Sequence, residues 1–413
     1  MKKYIILMAA AAMTLQANAQ GGNTRMGGND GDYQSLAERI TGLEKKNDAF
    51  NVYFNYAASA RASEQDGTWE TGFANKQLRL EIKGNLTDKL FYRLRHRMNK
   101  SNAAKGQDNF AKATDIMMVG YNFSDKLSIM GGKMCQIWGG FEFDENPMYI
   151  YQYSDMVDNM DNFMAGVTVS YKPVPTQEIA VEVSDANNGT FFEDHGDGAV
   201  AVGKSQVSPL EQSHNPLTYI VNWNGSFFND VLQTRWSWGL QTLARHKYSQ
   251  MLVFGQKLNL PSFQWYVDYM GANDGLDRLG IASSELMSVY APVVNNAHWS
   301  DSYYTPTVEN GYFSDVHYDS FITKANWQFA PKWNLMLKGT YETASVKKIE
   351  QFKNYRKSIG YLASLEYYPV KSQDFRVFLA YIGKKVDFSD KCGLKDYNTN
   401  RIELGFMYRI KCY

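Results

Sequence analysis

The 413-residue sequence holds only three cysteines, Cys135, Cys392 and Cys412. That excludes a disulfide framework and leaves at least one thiol unpaired within a chain. Export permits a Cys135–Cys392 bridge. Neither charge sign dominates, with 43 basic against 43 acidic side chains, so no nucleic-acid partner is indicated. Past the N-terminus no apolar run reaches the ~18 residues that a membrane-spanning helix needs. The sequence contains no G-x-S-x-G, H-E-x-x-H or G-x-x-x-x-G-K-[ST] motif, and no nucleophile with a recognisable base, so an enzyme is not expected. The six histidines, His96, His195, His214, His246, His298 and His317, do not fall at metal-ligand spacing. His195 in EDHGDG (193–198) reads as part of a solvated loop. NDGLD (273–277) lacks the spacing of a calcium loop and reads as a turn. No cofactor or metal is implied.

What is present begins with a leader. Lys2 and Lys3 precede a mostly apolar stretch, Tyr4 to Leu15, and Ala17-Asn18-Ala19 is a small-x-small cleavage signal. Residues 1–19 are therefore expected to be a signal peptide, with the mature chain starting at Gln20. Residues 20–32 are glycine-rich. Tyr33, Leu36, Ile40, Leu43, Asn47 and Phe50 then follow heptad a/d spacing. This predicts a short N-terminal helix on the periplasmic side, lying on the protein or joining a small oligomeric bundle. Residues 20–49 form this segment, and 50–413 a second region of different character.

From Phe50 onward the period is two. In LFYRLRHRMNK (90–100), Arg93, Arg95 and Arg97 alternate with Leu90, Tyr92, Leu94, His96 and Met98. An extended strand sends these sets to opposite faces. Leu78, Leu80 and Ile82 oppose Arg79, Glu81 and Lys83. Ile179, Val181 and Val183 oppose Glu178 and Glu182. Trp236 and Trp238 oppose Arg235, and Ile402 to Ile410 oppose Arg401, Glu403 and Arg409. The connections alternate in length. NLTDKL (85–90), NFSDKL (122–127), KPVPTQ (172–177) and APK (330–332) are short. Longer ones are read at about 61–74, 99–112, 135–162, 185–216, 271–316 and 387–398. Tyr121, Phe123, Phe227, Phe228, Phe329, Trp333, Tyr367 and Tyr368 sit beside the short turns. Aromatics are 15% of residues, and the mean hydropathy of −0.44 suits strands that are polar on one face. Short turns, long loops and aromatic girdles together predict an all-β, transmembrane antiparallel β-barrel of about sixteen strands, in contact with outer-membrane lipid of a Gram-negative bacterium. Segments 113–134 and 248–270 alternate poorly, which leaves fourteen or eighteen strands open. A secreted β-sandwich or propeller is the soluble alternative. Tyr413 falls out of phase with Phe406, Tyr408 and Ile410, and Cys412 holds the in-phase place.

The leader, the heptad segment, the LEIKGNLTDKLFYRLR hairpin and the RIELGFMYRI ending resemble the phosphate-selective porin O and P family of Bacteroidota. The resemblance implies a homotrimer of sixteen-stranded barrels whose lumen carries an arginine ladder. The residues that fit are Arg93, Arg95 and Arg97, with Arg79 on the preceding strand. Alternation alone adds Arg235 and Arg376 among ten inward basic positions, against six inward acids. In porins of this size the third long loop folds into the barrel. Here that loop, Met134 to Asn162, has no Lys or Arg but holds Glu142, Asp144, Glu145, Asp155, Asp158 and Asp161. The expectation is an acidic constriction loop facing a basic wall across a wet slit, which favours small polar solutes. The function expected is passive diffusion of small hydrophilic or anionic solutes with a mild anion preference. A phosphate or oligophosphate channel, or a barrel with mainly a surface-binding role, are the alternatives.

Overall fold

The computed structural model describes residues 49–412 except 105, 107, 205–206, 297–309 and 371–373. The leader, the glycine-rich segment, nearly all of the heptad stretch and Tyr413 lie outside the described residues.

Sixteen long strands form one closed antiparallel barrel. They are β1 (Asn51–Gln65), β2 (Thr68–Asn85), β3 (Leu90–Arg97), β4 (Thr114–Asn122), β5 (Leu127–Cys135), β6 (Phe163–Val174) and β7 (Gln177–Asp185), then β10 (Leu217–Phe227), β11 (Leu232–Ala244), β12 (Lys247–Leu260), β13 (Phe263–Leu276), β14 (Gly311–Ala330), β15 (Trp333–Val346), β16 (Arg356–Tyr367), β17 (Asp374–Phe388) and β18 (Tyr397–Lys411). Two short strands, β8 (Val200–Val202) and β9 (Val207–Pro209), form a small hairpin in the loop after β7, and β8 runs parallel to Gly311–Phe313. Each barrel strand pairs with its neighbour in sequence, β7 pairs with β10, and β1 pairs with β18 from Tyr53↔Lys411 to Gln65↔Thr399. Closure leaves no free sheet edge, which a membrane-embedded sheet requires because lipid cannot satisfy backbone groups.

The two near-copy turns share a cause. Thr87 Oγ1 accepts from the amides of Lys89 and Leu90, and Ser124 Oγ accepts from Lys126. In each, a hydroxyl two or three residues upstream folds the chain back without glycine. At the other end the 61–74 segment is not a loop. β1 and β2 stay paired to Gln65↔Thr68 around Asp66-Gly67, which both have positive φ. Glu64 accepts from the Gly67 amide at 2.6 Å and helps fix that turn. The β11–β12 connection is likewise only Arg245-His246, and the long connection read as 271–316 spans 277–310.

The faces are inverted relative to a soluble sheet. Val167, Val181, Leu337, Leu379 and Leu404 are about half exposed on the outside, whereas Thr168, Glu178 and Glu182 are fully buried inside. Apolar surface this extensive is tolerated when lipid covers it. Paired aromatics brace the periplasmic rim, with Trp223 5.2 Å from Trp236 and Trp333 4.7 Å from Tyr367. Among the described residues no helix is long and apolar enough to cross a membrane. The cysteines are free, so the Cys135–Cys392 bridge does not form.

Candidate functional site: the lumen and its inward loop

The connection from β5 to β6 lies inside the barrel. Its first stretch follows the inner wall. Gln136 donates to Ser184 at 2.9 Å, Asn222 donates to the Ile137 carbonyl at 2.8 Å, and Ser237 donates to the Trp138 carbonyl. Gly139 and Gly140, both with positive φ, then turn the chain; a Cβ on Gly140 would press on Val253 and Asp268. A helical turn, α1 (Phe141–Asp144), follows, and later a second, α2 (Asp155–Asp158). Between them the loop crosses to the opposite wall. There Gln77 donates to the Pro147 carbonyl, Tyr149 bonds Asp374, and Tyr151 donates to Glu366 at 2.7 Å.

Two wall carboxylates hold the loop by its backbone. Asp268 on β13 accepts from the amides of Phe141 and Glu142, each at 2.8 Å. Glu342 on β15 accepts from the amides of Asp155 and Met156 at 2.7 and 3.1 Å. Each satisfies amide donors that a helical turn leaves orphaned at its start. Strand alternation does not single out Asp268, because its strand lies in a poorly phased region. A signal exists in QWYVDYM, where Gln264, Tyr266 and Asp268 share a face.

The loop acids reach wall bases in direct contact, not across open water. Asp144 pairs with Arg235 at 3.2 Å, Glu145 with Lys324 at 2.5 Å, and Glu142 with Lys338. Asp155 pairs with Arg356 at 2.8 Å and also with Lys384. Burial works to raise the Asp155 carboxyl, yet these two cations hold it below its ordinary value. Asp158 and Asp161 meet no base among the described residues: Asp158 accepts from Gln152 and Asp161 from Asn188. Water reaches Asp158 on one side, but burial on the others, and then neighbouring Asp155, raise its pKa.

The arginine row on β3 stands in another sector, away from these loop acids. Asp115 gathers Arg97 at 2.6 Å, Arg95 at 3.2 Å and Arg79 at 3.4 Å. Glu81 gathers Arg93 at 2.7 Å, Arg409 at 3.5 Å and Lys83 at 4.0 Å. Arg95 and Arg97 lie over the Phe163 ring, and Arg409 over Tyr53 at 4.1 Å. Arg376 pairs with Glu366 at 2.9 Å and lies over Tyr149 and Tyr151. Two β-bulges complete this sector. One between Arg95 and His96 inserts Asp115, and one between Ala57 and Ala58 inserts Lys76, which bonds Glu403. A bulge re-aims one side chain across the sheet, so strict alternation assigns both residues to the wrong face. The count of ten inward bases against six acids omits such positions and the loop.

Above the loop, a cavity of about 710 Å³ opens toward the β1–β2 hairpin. Glu64, Glu70, Tyr153, Lys384, Tyr397 and Arg401 are among its walls. The other side of the mouth is filled by helix α3 (Ile281–Asn296), whose Leu286 and Tyr290 join Phe313, Phe352 and Tyr355 in one apolar cluster. Arg356 ties this plug to the inward loop, since its Nε meets Glu285 at 2.9 Å while its Nη2 meets Asp155. Among the described residues no group of His, Cys, Asp and Glu is arranged to hold a metal.

A closed sixteen-strand barrel with an apolar outside, a charged inside and an inward-folded loop is an outer-membrane channel of the porin class. Among solved structures, the outer membrane channel DcaP of Acinetobacter baumannii matches with a TM-score of 0.56 at 10% identity, covering 92% of this chain and 99% of that one. OmpF of Salmonella typhi, in complex with daunomycin, matches at 0.55 and 13% identity, covering 89% and 99%. OmpT of Vibrio cholerae matches at 0.50 and 11% identity, covering 89% and 99%. No curated protein matches the sequence. The sequence model of the phosphate-selective porin O and P family matches residues 50–410, and the chain belongs to that family. Family and fold point to a channel in the outer membrane and not to an enzyme.

Proposed function

We propose that this channel passes small hydrophilic solutes by passive diffusion with a weak preference for anions, working as a homotrimer after removal of residues 1–19. The observation that carries the preference is the pairing ratio in the β1–β4 and β18 sector. Among the described residues, eight bases there share three carboxylates, Asp115, Glu81 and Glu403. The surplus positive potential falls on lumen water and raises the local concentration of anions. In the loop sector Arg235, Lys324, Lys338, Arg356 and Lys384 each meet a loop carboxylate, so the field is weaker there. This pairing is what keeps the preference weak.

The decisive measurement is the reversal potential of purified channels in a planar bilayer under a KCl gradient. A modest shift in the chloride direction is expected, and a cation-selective potential rejects the reading. Tight phosphate selectivity would need several donors converging on one oxyanion at the narrowest point. Asp144 and Glu145 already occupy Arg235 and Lys324, so millimolar phosphate is expected to leave the chloride current nearly unchanged.

A further inference from the structure

We infer that the cavity at the mouth selects solutes that carry an ammonium and a carboxylate at opposite ends, amino acids and short peptides; this rests on the channel reading above and narrows its solute class. The cavity of about 710 Å³ above the inward loop is backed by six consecutive strands, β15 to β18, β1 and β2. Strand register fixes what each contributes. One row of paired inward positions runs Lys338, Leu362, Ile382, Arg401, Ser63, Glu70. The row above it places Lys384 on β17, then Thr399, Gln65 and Thr68 on β18, β1 and β2. All of these residues border the cavity. The wall is therefore graded, with bases on β15–β18 and an acid on β2.

Both ends keep capacity for a solute. Arg401 spends Nε on Glu403 at 2.6 Å, and its Nη2 donates to the Tyr151 carbonyl at 3.2 Å and to Gln152 at 3.3 Å. Its Nη1 has no partner among the described residues. The side chains of Arg401 and Lys384 stay 25% and 31% exposed, whereas Lys338, held by Glu142, is 7% exposed. At the other end, Glu70 and the hairpin-turn residue Asp66 meet no base within ion-pair distance among the described residues. The remaining carboxylates of the cavity are committed: Glu64 to the Gly67 amide and Asn400, Asp155 to Arg356 and Lys384, and Glu342 to two loop amides.

Two strand spacings, roughly 10 Å, separate Arg401 from Glu70 along the row. Ser63 alone stands between them, so no bulky side chain of the row blocks the span. A solute lying across β1 sets its carboxylate against Arg401 Nη1, with Lys384 on the adjacent strand, and its ammonium against Glu70. Thr399, Gln65 and Thr68 offer hydroxyl and amide groups to the polar backbone in between. An anion is attracted at one end and repelled at the other, and so is a cation. A solute with both charges gains at both ends, and each pull is weak enough to let it leave.

The test is osmotic swelling of liposomes holding the purified channel at neutral pH. Glycylglycine is compared with N-acetylglycinamide, an uncharged amide of similar size. The parent channel is expected to admit glycylglycine roughly two- to four-fold faster, since each end contributes what an exposed ion pair contributes. Glu70→Gln should bring the two rates toward equality. Arg401→Gln removes the opposite end and should do the same, which keeps the test open where Glu70→Gln fails to assemble. Glu211→Gln, which breaks an exposed pair with Arg245 in another loop, should keep the parent ratio. Equal rates in the parent overturn the selection and leave the channel reading intact. A ratio that survives both cavity variants, or that Glu211→Gln also abolishes, overturns it as well. Entry of neither solute overturns the channel reading and this inference with it.

Discussion

Arg97 Nε lies 2.6 Å from an oxygen of Asp115, a residue that the alternation of its own strand would send toward lipid. The bulge at Arg95/His96 turns that carboxylate inward, where it becomes the counter-charge for Arg79, Arg95 and Arg97 together. Without it, three guanidinium groups would face one another across a narrow wall.

Asp115→Asn removes this counter-charge while keeping size and shape. A unit charge several ångströms from a screened, hydrated path shifts anion and cation in opposite directions by roughly 0.25–0.5 kcal/mol each, so the anion-to-cation permeability ratio is expected to rise about two- to five-fold. Breaking a buried ion pair costs about 3 kcal/mol, so the barrel should also unfold at lower urea in detergent. Reversal potentials and urea midpoints check the two effects separately. An unchanged ratio would mean that the ladder does not face the conducting path.

The inward loop is held by Asp268 and Glu342 through its backbone, so its position should depend more on them than on its own acids. Each pair of amide-to-carboxylate bonds is a charge-assisted contact worth roughly 1.5–3 kcal/mol per bond. The double variant Asp268→Ala, Glu342→Ala is expected to free both helical turns. Single-channel conductance should rise, and limited proteolysis should cut within 136–162. Conductance equal to that of the parent channel would show that the side-chain pairs alone hold the loop.

Much of this was legible in the sequence. Alternation placed Arg79, Arg93, Arg95, Arg97, Arg235 and Arg376 on inward strand faces because lipid and lumen impose opposite polarity on successive residues. Short turns were legible from Thr87 and Ser124, whose hydroxyls fold the chain locally. The bulges were not. Inserting Asp115 or Lys76 depends on how two strands meet, and no single strand records it. The partners of the loop acids were equally hidden. Glu142 meets Lys338 and Asp155 meets Arg356 across about two hundred residues of sequence, through a path that only the closed barrel defines.

Arg356 offers a way to disturb the mouth without altering the ladder. Its planar fork spans Glu285 on the plug helix and Asp155 on the inward loop, a geometry that lysine or glutamine cannot reproduce. Arg356→Gln leaves Lys384 on Asp155 and the Tyr355 hydroxyl on Glu285. The loop and the plug should stay in place but move independently. Open-channel current noise is expected to increase, with mean conductance changed by less than about two-fold. A record as quiet as that of the parent channel would show that the apolar cluster around Leu286 and Tyr290 holds the plug unaided.

Asp158 supplies a test by pH. Burial and neighbouring Asp155 set its carboxyl above the ordinary value, so it takes up a proton earlier than an exposed aspartate as pH falls. Protonation removes one negative charge from the lumen, and the sign is therefore toward anions on acidification. Asp155 is held low by Arg356 and Lys384 and keeps its charge over the same range. The permeability ratio of the parent channel is expected to move toward chloride between neutral pH and the acid side, by about two-fold for one charge at this distance. Asp158→Asn should start at the more chloride-favouring value and respond less to acid. A parent channel whose ratio is flat with pH, or an Asp158→Asn channel that titrates as fully as the parent, would place the acid-sensitive group elsewhere in the lumen.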